Sequence, residues 1–339
     1  MSVRLRASIA AFALFGVTCV GACAPEPSTA ESGASASNAV TVGLTYIPNV
    51  QFSPVYVAHD DSVYSNAGLD VTIRHHGSDE GLFTALISGE EDVVIASGDE
   101  AMVARDSGMD LVSIGTYYRQ YPGVVIVPAD SEIHTLSDLK GHSIGIPGEY
   151  GSNWYATLSA IFQGGLSEKD VEIASIGYTQ RAALAQGEVD AVLGFANNDL
   201  VQMLQSGMDV RAISLESQTP LVAASIITTR QWAEANPELA SAVVSATTAG
   251  INSVIDDPDH ALDVTMAWDE TLSDETSKSN AMAVLQATIP LMMNAGGPAA
   301  AMQDLDRWEM MAEFLGSVPG IVSKKPDASL AATNEYVNE

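Results

Sequence analysis

Aromatic and amide side chains crowd into several short runs of this sequence, and together they are suited to grip a flat, polar molecule. The first run is Tyr46-Ile47-Pro48-Asn49-Val50-Gln51-Phe52. Tyr46 and Phe52 offer ring faces for stacking, while Asn49 and Gln51 each offer donors and an acceptor. Ordinary turn chemistry needs less than this, although Asn49 can equally serve as a helix cap. A second run, Ser97-Gly98-Asp99-Glu100, has the composition of a helix start. Helix amino ends attract anions through free N–H groups, and two carboxylates at that spot compete for the same donors. This disfavours sulfonate, nitrate or phosphate as the recognised group; plain capping by Ser97 or Asp99 is the alternative.

Three further runs complete the set. In Gly148-Glu149-Tyr150-Gly151 the glycines let backbone approach a ligand closely, and Tyr150 supplies an opposing ring face. A glycine-rich change of direction would use the same residues. Asn197 and Asn198 follow Phe195-Ala196 and can pair with ring nitrogens, or either can cap the next helix. Tyr117 and Tyr118 precede an extended apolar run, and Tyr178 with Gln180 follows another. By contrast, adjacent His75 and His76 on a strand point to opposite faces and make a poor metal site. No metal and no cofactor is called for.

The elements that must position these runs alternate between strand and helix. Short β-branched segments at 40–44, 70–75, 92–96, 111–116, 143–146, 171–175, 191–194 and 210–214 are separated by helical stretches. That alternation predicts α/β layers with largely parallel strands. In such layers ligands sit at strand carboxyl ends, which is where the aromatic and amide runs fall. An internal repeat sharpens the picture. Leu86-Ile87-Ser88-Gly89-Glu90-Glu91-Asp92-Val93-Val94 recurs as Leu184-Ala185-Gln186-Gly187-Glu188-Val189-Asp190-Ala191-Val192, each a helix end, a glycine stop and a buried strand. Two similar doubly wound lobes follow, joined where the apolar segments 121–128 and 219–228 cross between them. The expected division is 39–125 plus 222–339 for lobe one and 126–221 for an inserted lobe two, with a helical C-terminal extension on lobe one.

The amino end reads differently. Arg4 and Arg6 precede an apolar stretch too short to span a membrane, which ends in Val20-Gly21-Ala22-Cys23. Small residues directly before a cysteine look like a bacterial lipobox, so 1–22 is expected to be a signal peptide and Cys23 to carry a lipid. Residues 23–38, rich in Ala, Ser, Pro and Gly, form a flexible tether. The protein is then extracytoplasmic, anchored to the cell membrane by lipid alone. Cleavage before Cys23 also removes Cys19, which excludes an internal disulfide. The chain carries 14 Lys and Arg against 43 Asp and Glu, a net charge of −29, which repels nucleic acid.

Tyr46-Ile47-Pro48-Asn49-Val50-Gln51-Phe52, Gly68-Leu69-Asp70-Val71, Asp138-Leu139-Lys140-Gly141, Gly148-Glu149-Tyr150-Gly151 and Gly187-Glu188-Val189-Asp190 carry a family likeness. They resemble solute-binding proteins of the nitrate/sulfonate/thiamine-precursor superfamily, most of all the branch that binds thiamine pyrimidines and riboflavin. The resemblance implies a type II periplasmic-binding-protein fold. It also implies a monomer that delivers a small molecule to an ABC permease and its ATPase. One branch of the superfamily holds thiamine-pyrimidine synthases with a cysteine-rich iron motif, and no such cluster occurs here. Binding of a sulfonate- or nitrate-type anion is the alternative, followed by an exported enzyme on the same fold. No G-x-S-x-G elbow, phosphate loop, H-E-x-x-H or dinucleotide fingerprint supports an enzyme.

Overall fold

The computed structural model describes residues 38–77, 80–215, 219–294 and 297–338. The leader, Cys23 and nearly all of the tether lie outside the described residues. In chain order the strands are β1 (Ala39–Leu44), β2 (Asp70–His75), β3 (Val93–Ser97), β4 (Leu111–Thr116) and β5 (Gly123–Pro128). They continue as β6 (Ser143–Ile146), β7 (Glu172–Ser175), β8 (Ala191–Phe195), β9 (Val210–Ser214) and β10 (Ala224–Thr229). Two five-stranded sheets result, with orders β2-β1-β3-β10-β4 and β7-β6-β8-β5-β9. The plan is the same in both. The fourth position of each sheet is taken by the strand that arrives from the other lobe.

Those two arriving strands change the sheet type. β10 runs antiparallel to β3 and β4, and β5 runs antiparallel to β8 and β9, while β1 and β6 pair parallel with their neighbours. The sheets are therefore mixed, where alternation along the sequence predicts largely parallel ones. A strand that returns through a lobe crossing has no right-handed helical connection to impose parallel direction, so it enters by its other end.

The helices of the α/β layers are α1 (Ser53–Asp60), α2 (Val63–Asn66), α3 (Thr84–Ser88), α4 (Gly98–Asp106), α5 (Gly151–Gln163), α6 (Gln180–Gln186) and α7 (Asp199–Gln205). In the repeat, α3 and α6 each end on a glycine in the left-handed region, Gly89 at φ 79° and Gly187 at φ 68°. An L side chain is strained there, which is why both copies keep glycine. The repeated aspartates also do the same job. Asp92 accepts the backbone N–H of Thr41 on β1, and Asp190 accepts that of Ser143 on β6, both at 2.8 Å. Each fixes the start of the helix-linked strand beside its own.

The helical C-terminus comprises α8 (Arg230–Ala235), α9 (Pro237–Asp256), α10 (Pro258–Trp268), α11 (Glu275–Met292) and α12 (Leu305–Ser317). α9 and α10 pack on α1 of lobe one. Gly250 permits the close approach of α9, since a Cβ there would meet the Pro54 carbonyl oxygen at 2.2 Å. Buried Val243, Val244 and Ile251 of α9 join Val42, Tyr56 and Ile114 in the lobe-one core. The extension reaches further than lobe one. Trp308, Met311 and Phe314 of α12 are buried with Val125, Trp154 and Ile161 of lobe two, and Phe314 meets Phe162 edge-on at 5.7 Å. Among the described residues, no helix is long and apolar enough to cross a membrane.

Candidate functional site

The carboxyl ends of β1, β3 and β4 in one lobe and of β6, β7 and β8 in the other open onto one cavity of about 440 Å³. That volume lies within the usual range for small-molecule sites. Lobe one contributes Tyr46, Gln51, Phe52, Ser97 and Glu100 to its wall. Lobe two contributes Tyr150, Gly151, Tyr178, Asn197 and Asn198. Tyr117 and Tyr118 stand on the crossing itself, with ring centroids 5.2 Å apart. Tyr46, Tyr150 and Tyr178 remain 54%, 57% and 79% exposed, so each leaves ring surface open to a guest. Among the described residues that line the cavity there is no Lys, Arg or His.

Asp99 lies behind this wall, fully buried, and joins the parts that form it. Its Oδ1 accepts hydrogen bonds from Ser97 Oγ at 2.7 Å, the Glu100 N–H at 2.6 Å and Ser152 Oγ at 2.8 Å. Its Oδ2 accepts the Tyr121 hydroxyl at 2.7 Å. Ser97 ends β3 just before α4 in lobe one, Ser152 lies in the first turn of α5 in lobe two, and Tyr121 sits on the crossing, so one carboxylate ties all three. Burial pushes the Asp99 carboxyl up, against the four donors that favour its charged form. Glu100 next to it is pushed up to about 8, first by burial and then by the Asp99 charge, with hydrogen bonding from Ser152 opposing. Four donors converge on Asp99 and favour its charged form, whereas burial and that neighbouring charge push Glu100 toward its neutral form. Burial also pushes the hydroxyls of Tyr117, Tyr118 and Tyr121 up, and they stay protonated donors.

Other contacts hold the wall in place. Tyr117 donates its hydroxyl to the Gln51 carbonyl at 3.0 Å, which fixes the first loop against the crossing. Asn197 donates to Thr288 Oγ1 of α11 at 3.0 Å, so a lobe-two loop is tied to the C-terminal helices. Asp199 accepts the Phe195 N–H at 2.8 Å and orients the Asn197–Asn198 loop.

Four residues expected at the site lie off its wall. Asn49 turns its side chain onto the Gln51 N–H at 3.1 Å and acts as a cap, the simpler of its two readings. Gly98 is packed beneath Val222 and Trp308, where a Cβ would meet Val222 at 2.7 Å. Asp99 is enclosed as described. Gly148 is covered by the Tyr150 ring, which a Cβ would meet at 2.3 Å. The wall also includes Tyr121, Ser152, Asn153, Gln180 and Phe195. Ser152 and Asn153 follow Gly151 directly in the first turn of α5, and that position alone marks them. Asn153 Oδ1 is buried with no hydrogen-bond partner, as befits an acceptor awaiting a donor.

Two lobes of one plan, with the strand ends of both sheets facing a shared cavity, define a periplasmic-binding-protein fold. The chain belongs to the NMT1/THI5-like family, whose pattern matches residues 49–261. It is 31% identical over 329 residues to the riboflavin-binding protein RibY of Chloroflexus aurantiacus, covering 93% of each chain. It is 23% identical over 282 residues to the formylaminopyrimidine-binding protein of Halalkalibacterium halodurans, covering 81% of this chain and 84% of that one. The periplasmic aliphatic sulphonate binding protein SsuA of Escherichia coli shares the fold with a TM-score of 0.69. There identity is 18%, over 89% of this chain and 92% of SsuA.

Proposed function

We propose that this chain is the extracytoplasmic solute-binding component of an ABC importer, and that its solute is a flat heteroaromatic nutrient, riboflavin or a thiamine pyrimidine. The observation that carries the ligand class is the cavity wall, which combines tyrosine faces and amides with acids and no cation. A ring stacks on Tyr46, Tyr150 or Tyr178, and its polar edge meets Gln51, Asn153, Asn197 or Glu100. A sulfonate or nitrate would find no basic side chain among the described residues of the wall to pair with its charge. The relatives named for riboflavin and formylaminopyrimidine both bind rings, which agrees with this chemistry. In this reading the chain captures the ring and performs no reaction on it.

In this reading 126–221 is an inserted lobe that closes on 39–125 plus 222–339, and the monomer hands its ligand to a permease and ATPase. A lipid on Cys23 holds the protein at the membrane. Calorimetry decides the ligand class. Riboflavin or a thiamine pyrimidine should bind with little dependence on salt, and Tyr46→Ala or Tyr150→Ala should weaken binding at least about tenfold. Tight binding of taurine or nitrate with no heat from either ring would overturn the assignment.

A further inference from the structure

We propose that Glu100 determines specificity by reading the ligand's edge as a neutral carboxylic acid, donating one hydrogen bond and accepting another. This deepens the ring-binding reading above and rests on it. A carboxylic acid presents an O–H beside a C=O, so it pairs in a two-bond ring with any edge that places an acceptor next to an N–H donor. An aminopyrimidine has that edge in a ring nitrogen beside its amino group, and a flavin has it in an imide N–H beside a carbonyl. A carboxylate, which only accepts, satisfies half of either edge and leaves a lone pair facing a lone pair.

The geometry places Glu100 for this. It is a wall residue of the cavity, and Asp99 next to it is already saturated by four donors. The groups that face Glu100 are Asp99 on its own helix, Tyr121 on the crossing, Tyr155 on α5 and Tyr178 after β7. None of these is cationic; the Ser152 hydroxyl and N–H favour the charged form of Glu100, and burial together with the Asp99 charge outweighs them. Its carboxyl, pushed up to about 8 by burial and by the Asp99 charge, keeps that proton at neutral pH. A buried acid beside a second one is the arrangement that holds a carboxyl neutral.

The test is the pH dependence of ring binding to the full chain, with riboflavin and a 4-aminopyrimidine as probes. If only the protonated form is competent, the dissociation constant rises about tenfold by pH 9, one unit above the midpoint. Glu100→Gln keeps a donor beside an acceptor without a titratable proton and should flatten that rise. Glu100→Ala should weaken binding at least about tenfold at pH 6, with melting curves to confirm that the variant is folded. A wild-type affinity that is constant from pH 6 to 9, or a folded Glu100→Ala that binds like wild type, would overturn the proposal while ring binding stands. A wild type that binds neither ring at any pH would overturn both readings together.

Discussion

Replacing Asp99 tests whether one carboxylate holds the two lobes and their crossing in register. Alanine there leaves Ser97 Oγ, Ser152 Oγ, the Glu100 N–H and the Tyr121 hydroxyl without their acceptor. Each lost bond is worth about 1 kcal/mol net. The four sum to roughly 4 kcal/mol, and relief of a buried acid returns part of this, so a loss of about 3 kcal/mol is expected. Asparagine should cost far less, about 1 kcal/mol. Its Oδ1 keeps the three donors, and its amide can donate to Tyr121, whose hydroxyl already reaches the Ser152 carbonyl at 3.1 Å. Urea denaturation of wild type, Asp99→Asn and Asp99→Ala gives the comparison directly. A loss below about 1 kcal/mol for alanine, or equal losses for the two variants, would refute the view that this acid is the tie.

Three more outcomes are expected. Gly250→Ala should push α9 off α1 and cost about 1–3 kcal/mol by denaturation, because the added carbon falls on the Pro54 carbonyl. Stability should decline as pH rises from about 5 to 8, because folded Glu100 keeps a proton that the unfolded chain releases near its ordinary 4.5. Thermal melts of Glu100→Gln should lack its share of that decline. Cys23→Ala should leave an unprocessed or released precursor, whereas wild type should partition into detergent and take up labelled fatty acid; an unacylated wild type would remove the anchor from the proposal.

Much of the framework was readable in the residue order, and the reason is locality. The helix stops at Gly89 and Gly187 and the aspartates that follow act within a few residues of themselves, so their repeat carries its own explanation. The loops at Tyr46, Tyr150 and Tyr178 were readable for the same reason, since strand ends in α/β layers point toward a ligand. Asp99 was not. Its partners Tyr121 and Ser152 lie 22 and 53 residues away, and no local pattern distinguishes a buried tie from a wall residue. Gly148 looks like a ligand-approach glycine until the Tyr150 ring is seen covering it, and Gly98, expected at the site as part of a helix start, is packed beneath Val222 and Trp308. The direction of β5 and β10 was hidden too, because it follows from the crossings and not from composition.

The place of β10 between β3 and β4 also sets the order in which this polypeptide can mature. β5 to β9 are contiguous in the chain, so their sheet is complete as soon as residue 214 has been synthesised. The other sheet must wait for Ala224–Thr229, and until then β3 and β4 each offer an unpaired edge to any passing strand. Joining edges made so far apart in synthesis is a long-range closure, slow compared with pairing successive strands. A lobe left half-built in this way exposes strand edges, and shielding them matters most before residue 224 emerges.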